Sequence, residues 1–201
     1  MHEYDHAEPH QHSEDTLAVA HSARKNIIGN RISSAVKIIG GLLFRDPVLV
    51  SDGAHDVGDA LIHGDHEKEA LSENEDDTRK YAVRSAIKLG SFSMIGAGVE
   101  TAVEKVWEHA PNHPLGLVFA IGGFAMSRYF KKDAHRHSDE KAFSLKSHTF
   151  WDQMISGTTL ANAGMLVAGV AVNPLIPLGL HLGFSFTSSW QIYRNARRHT
   201  H

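Results

Sequence analysis

Histidine and aspartate stand four residues apart in two places, His55 and Asp59 in the run Ser51-Asp52-Gly53-Ala54-His55-Asp56-Val57-Gly58-Asp59, and His148 and Asp152 in His148-Thr149-Phe150-Trp151-Asp152. A helix turns about 100° per residue, so each pair shares one face, one turn apart. Two imidazoles and two carboxylates make a tetrahedral zinc set. Asp52 falls close to the face of the first pair and Asp56 at its edge. Four ligands already close a zinc site, so these two aspartates are read as groups that orient or neutralise the ligands from behind. One such pair arises readily by chance in a chain with 16 histidines, and a helix-borne His and Asp one turn apart are often only a hydrogen-bonded pair. Two copies, each at the polar start of an apolar segment, argue for a site.

The rest of the composition narrows the field. A chain of 201 residues suits one domain. It has no cysteine, which removes disulfides and thiolate ligands. A net charge of -3 argues against a nucleic-acid partner. No nucleophile, base and acid stand in a catalytic spacing and no glycine-rich loop could cradle a phosphate, so the expectation is a protein that is not an enzyme. Mean hydropathy is low for a membrane protein, but the polar residues are gathered into tails and two loops.

The elements that must carry the pairs follow from the apolar runs. Residues 1–24 hold His2, His6, His10, His12 and His21 among acidic and serine residues, with no apolar signal core, and read as a disordered, weakly metal-binding tail. Six apolar helices are expected over about 26–44, 47–63, 81–107, 115–130, 148–172 and 175–193, forming a transmembrane unit over 25–198, with 199–201 as a terminal tail. Arg31 and Lys37 interrupt the first helix, and the second is short. Residues 65–80 read as a charged, solvated loop; His63 and His66, at the end of the second helix, read as solvated, with a cytoplasmic entry site as the alternative; residues 131–146 read as a basic loop. In the third run Ala86, Gly90, Ser93 and Ala97 fall on one face, as in close helix packing within a membrane. With six crossings, Arg24, Lys25, Lys68, Arg79, Lys80, Lys131, Lys132, Arg136, Lys141, Lys146, Arg194, Arg197 and Arg198 fall on one side and little beyond Arg45 and Lys105 on the other. Cationic residues collect on the cytoplasmic side of membrane proteins, so both termini are expected there. The fold class is therefore all-α, a six-transmembrane-helix bundle in a lipid bilayer, as a multi-pass protein of the cell membrane.

The run Asn30…Gly41-Leu42-Leu43…Asp52-Gly53-Ala54-His55…Asp59 resembles the first two helices of the cation diffusion facilitators, the zinc-transporter superfamily. His148…Asp152, preceded by His135 and His137, resembles that family's fifth helix, and Asn173-Pro174 followed by an apolar run to Trp190 and Arg194 resembles its sixth. The likeness covers about residues 26–198. It implies a six-helix exporter of divalent cations, most often zinc, driven by proton exchange and working as a homodimer. Carried over by position, the transport site is His55, Asp59, His148 and Asp152. The family's cytoplasmic metal-binding domain has no counterpart after the sixth helix, and Lys37 stands where many members have an acidic residue. The expectation that rests least on the likeness is a soluble or non-transporting helical metal-binding protein of the same topology.

Overall fold

The computed structural model describes residues 14–107, 114–136, 142–170, 172–173 and 175–198, without the side chain of residue 136. Six α-helices follow one another: α1 Glu14–Phe44, α2 Pro47–Ala70, α3 Glu75–Val106, α4 Pro114–Lys131, α5 Phe143–Val167 and α6 Leu175–Arg198, with a short 3-10 helix at Lys132–Arg136 after α4. No strand occurs among the described residues. The chain is all-α.

Local chemistry sets the corners. Arg45 takes a left-handed φ of 54°, which turns the chain sharply out of α1. Asp46 then caps α2 by accepting the Leu49 amide at 3.0 Å, and Pro47 occupies the first turn, where no amide hydrogen is needed. Asn74 caps α3, accepting the Asp77 amide at 2.7 Å.

The helices pack in two rows, α1, α2 and α3 in one and α4, α5 and α6 in the other, each helix against its neighbours in the row and one helix of the other row. The rows meet as α1 on α4 and α3 on α6, with α2 touching α5 across the middle. Successive helices run in opposite directions. Val19, Ala23, Ala70, Ala134 and Leu145 form one cluster that joins the start of α1, the end of α2 and the start of α5. Ile62, Ala86 and Ile192 join the later part of α2 to the start of α3 and the end of α6. The described ends of the chain therefore lie at one end of the bundle.

Much of the buried interior is polar, and large apolar side chains lie on the outside of every helix. Inside lie small and polar side chains such as Asn26, Asn30, Ser33 and Lys37 from α1, and Ala82, Ala86, Ser93, Gly96 and Glu100 from α3, beside the larger Leu89. Outside lie Ile39, Leu61, Ile95, Ile121, Phe150 and Leu175, one from each helix and each about half exposed or more. By length and composition, one described helix, α1, is apolar enough to cross a membrane. Close contacts replace a large hydrophobic core. A side-chain carbon at Gly53 would lie 2.7 Å from Ile38 Cγ1 and 3.0 Å from its backbone nitrogen, so α1 and α2 approach to backbone contact there.

Three expectations are corrected. The tail read over residues 1–24 ends sooner: from Glu14 onward the chain is helical, and Val19, Ala20 and Ala23 are buried against the end of α2 and the start of α5. Residues 1–13, with four of the tail histidines, lie outside the described residues, as do 199–201, Asn112 and Pro174. The second helix is not short but runs on to Ala70, because Asp65, His66 and Glu69 find partners in α3 and α5 in place of water. Lys131 is not a loop residue: it ends α4 and is fully buried. The 24 residues of α2 span about 36 Å at 1.5 Å each.

Candidate metal centre

The middle helices of the two rows carry the two His-x-x-x-Asp pairs toward each other. On α2 the stripe Asp52, Asp56, Asp59, His63, His66 repeats every three to four residues and is wholly buried. On α5 the facing stripe is His148, Asp152, Ser156 and Thr159. A stripe of that period faces one way along a helix, and the only way is inward because α2 and α5 are the central members of their rows.

His55, Asp59 and Asp152 each present a ligand atom within 4.8 Å of one another. His148 joins them through Asp59: its Nε2 lies 2.9 Å from Asp59 Oδ1, and His55 Nε2 lies 3.5 Å from the same oxygen. All four residues expected at the site are therefore brought together. Asp59 Oδ2 and Asp152 Oδ1 have no hydrogen-bond partner among the described residues. Buried carboxylate oxygens are almost always satisfied, and a cation is the partner that this donor set would accept.

Two lysines flank the four. Lys37 of α1 reaches between Asp52 at 3.0 Å and Asp56 at 2.8 Å and also lies 3.2 Å from Ser156 Oγ on α5. Gly123 of α4 makes room for its stem, since a side-chain carbon there would lie 2.8 Å from Lys37 Cε. Asp52 and Asp56 thus serve the lysine directly and the ligands only from behind. Lys131 of α4 pairs with Asp152. Four carboxylates, Asp52, Asp56, Asp59 and Asp152, thus face two lysines, Lys37 and Lys131, in this buried layer.

His63 and His66, read from sequence as solvated, are fully buried. Their ring nitrogens and those of His148 lie within 4.8 Å of one another. The signal for them was present in the sequence as the continuation of the stripe from Asp59 by four and then three residues; the charges that follow Gly64 concealed it. Lys131 and Glu69 carried no such signal. On the other side of His55 a small cavity is lined by Ser51, Glu100, His181 and Ser185. Glu100 is buried there, with His181 Nδ1 3.9 Å away, and His181 Nε2 lies 3.4 Å from Thr159 Oγ1.

Comparison with family models, with curated protein sequences and with solved structures finds no match for this chain.

Proposed function

We propose that the chain is a multi-pass membrane transporter whose cargo is a divalent metal cation, zinc by ligand type, exchanged for protons by alternating access. The observation that carries the reading is the meeting of both His-x-x-x-Asp pairs at the centre of the bundle, in a buried layer where four carboxylates face two lysines. Two imidazoles and two carboxylates suit zinc in number and hardness. The ligands bind metal only when deprotonated, so protons arriving from the far side compete and release the ion. The burial pattern supports the membrane setting: apolar side chains on every helix face outward, where lipid costs them nothing, and Lys37, Asp56, Asp59, Glu100, Lys131 and Asp152 face inward, as ionisable groups within membranes do. The six helices would then all cross, with the chain ends on the cytoplasmic side. The likeness to the cation diffusion facilitators, drawn from the same residues, points the same way.

A water-soluble metal-binding bundle is the second reading, favoured because among the described helices only α1 is long and apolar enough to cross a membrane. It requires the apolar belt to face water. Expression in zinc-sensitive cells separates the two. The transporter is expected in the membrane pellet, released only by detergent, and it lowers cellular zinc; Asp59→Ala and Asp152→Ala pellet equally and lower it no more than an empty vector. A chain in the supernatant after lysis contradicts the membrane reading.

A further inference from the structure

The geometry points to a second metal site, formed by His63, His66 and His148, which shares His148 with the central site and loads it. His63 and His66 lie four and seven residues beyond Asp59 on α2, about 6 and 10 Å along its axis toward the start of α1 and the end of α6. The three rings are buried, with centroids 4.6 Å apart for His63 and His148, 5.3 Å for His66 and His148 and 5.6 Å for His63 and His66. One nitrogen from each lies within 4.8 Å of the others, against about 3.3 Å in a closed tetrahedral zinc site. Side-chain torsions cover that difference.

Two further observations single the cluster out from a group of packed histidines. Neither ring nitrogen of His63 has a hydrogen-bond partner among the described residues, although the side chain is wholly buried against the other two rings. An orphaned imidazole in that position is costly unless something binds it. His66 is already oriented as a ligand. Glu69 Oε2 sits 3.3 Å from its Nδ1 and is itself held by the Ser144 hydroxyl, which donates to Oε1 at 2.7 Å. A carboxylate behind the far nitrogen is the usual way to fix the tautomer of a metal-binding histidine. It leaves His66 Nε2 turned toward His148 Nδ1, 3.1 Å away.

His148 faces both sites, with Nδ1 toward His66 and Nε2 toward Asp59. A neutral imidazole has one lone pair and one N–H, so it completes one site at a time. An ion held by three imidazoles keeps an open fourth position, the arrangement of a labile site. The loading role rests on the transport reading above; the binding of metal by the three histidines does not.

The test uses the full chain in detergent, with His2, His6, His10 and His12 replaced by Gln to silence the tail. Adding Asp59→Ala and Asp152→Ala removes the central site. That variant is expected to bind Co2+ with the visible absorption of a tetrahedral, nitrogen-rich site. His63→Gln added to it should weaken Co2+ binding by at least about a hundredfold, and Glu69→Gln, an outer partner, by about tenfold. No Co2+ binding in the variant with intact helical content, or binding indifferent to His63→Gln, overturns the site. If the aspartate variant does not fold, stopped-flow zinc binding to the chain with both aspartates decides. His63→Gln should then slow zinc arrival about tenfold while shifting equilibrium affinity less than about threefold, and unchanged arrival overturns the proposal. Absent zinc export by the unaltered chain would end the transport reading without touching the Co2+ result, so the two failures are distinguishable.

Discussion

Lys131 and Asp152 hold each other as an ion pair wholly out of solvent, at the position where the second carboxylate of the central site must meet its metal. The ammonium is a tethered competitor for the ion. Lys131→Met removes it and leaves Asp152 uncompensated. Zinc should then bind at least about tenfold tighter by calorimetric titration, since a neighbouring like charge within the protein costs several kcal/mol before relaxation. The same variant without metal should lose about 3 kcal/mol of stability, recovered on zinc addition because ligands stabilise the state they bind. His55→Asp changes the ligand chemistry, not the charge of a neighbour. An oxygen-richer site should favour manganese over zinc relative to the parent, read by competition binding. That His55 and Asp59 share one face, and His148 and Asp152 another, was legible because each pair lies within one helix. Lys131 was not: it stands at the end of an apolar run, where a lysine ordinarily snorkels to water, and only the α4–α5 contact reveals that it faces Asp152.

Helix α2 is the element that gathers the chemistry, and its packing on α1 is set by glycine. Gly53→Ala places a carbon against the Ile38 backbone and should lower the unfolding free energy by about 1–3 kcal/mol in a thermal or denaturant melt in detergent. At Gly64, on the same helix, nothing lies within 4 Å of an added carbon. Gly64→Ala should therefore raise stability by about 1 kcal/mol through helix propensity alone. The sequence disclosed that α2 exists and where it begins, from Asp46, Pro47 and the apolar run after them. Its end was hidden. Asp65, His66, Glu67, Lys68 and Glu69 have the composition of a solvated loop, but Asp65 pairs with Lys88 at 2.6 Å, Glu69 accepts from Ser144, and His66 meets His148, partners more than twenty to some eighty residues away. The first turns of α1 were hidden for the same reason, since Val19, Ala20 and Ala23 find their apolar neighbours on other helices.

At the scale of the whole molecule, the membrane proposal predicts an orientation, and the lack of cysteine in the chain makes that orientation easy to read. Single cysteines at Glu73, exposed between α2 and α3, and at Ala168, exposed after α5, lie at opposite ends of the bundle. In sealed inside-out vesicles an impermeant maleimide should label Glu73→Cys and not Ala168→Cys; the reverse would invert the topology that the loop charges imply. Entry from the Glu73 end fits the line of His66, His63 and the central site, and departure past Glu100 and His181 fits the small cavity beyond His55. Glu100→Gln should accordingly slow zinc release more than it weakens zinc binding, as rapid-mixing dissociation measures. The central claim is that His55, Asp59, His148 and Asp152 carry a divalent cation through the bundle. It is tested most directly by zinc flux into proteoliposomes of the purified chain with an imposed proton gradient. Zinc should accumulate in the vesicles against its own gradient and stop when the proton gradient is collapsed, and Asp59→Ala or Asp152→Ala should abolish flux in protein that reconstitutes normally. Flux in either aspartate variant equal to that of the parent would contradict the claim.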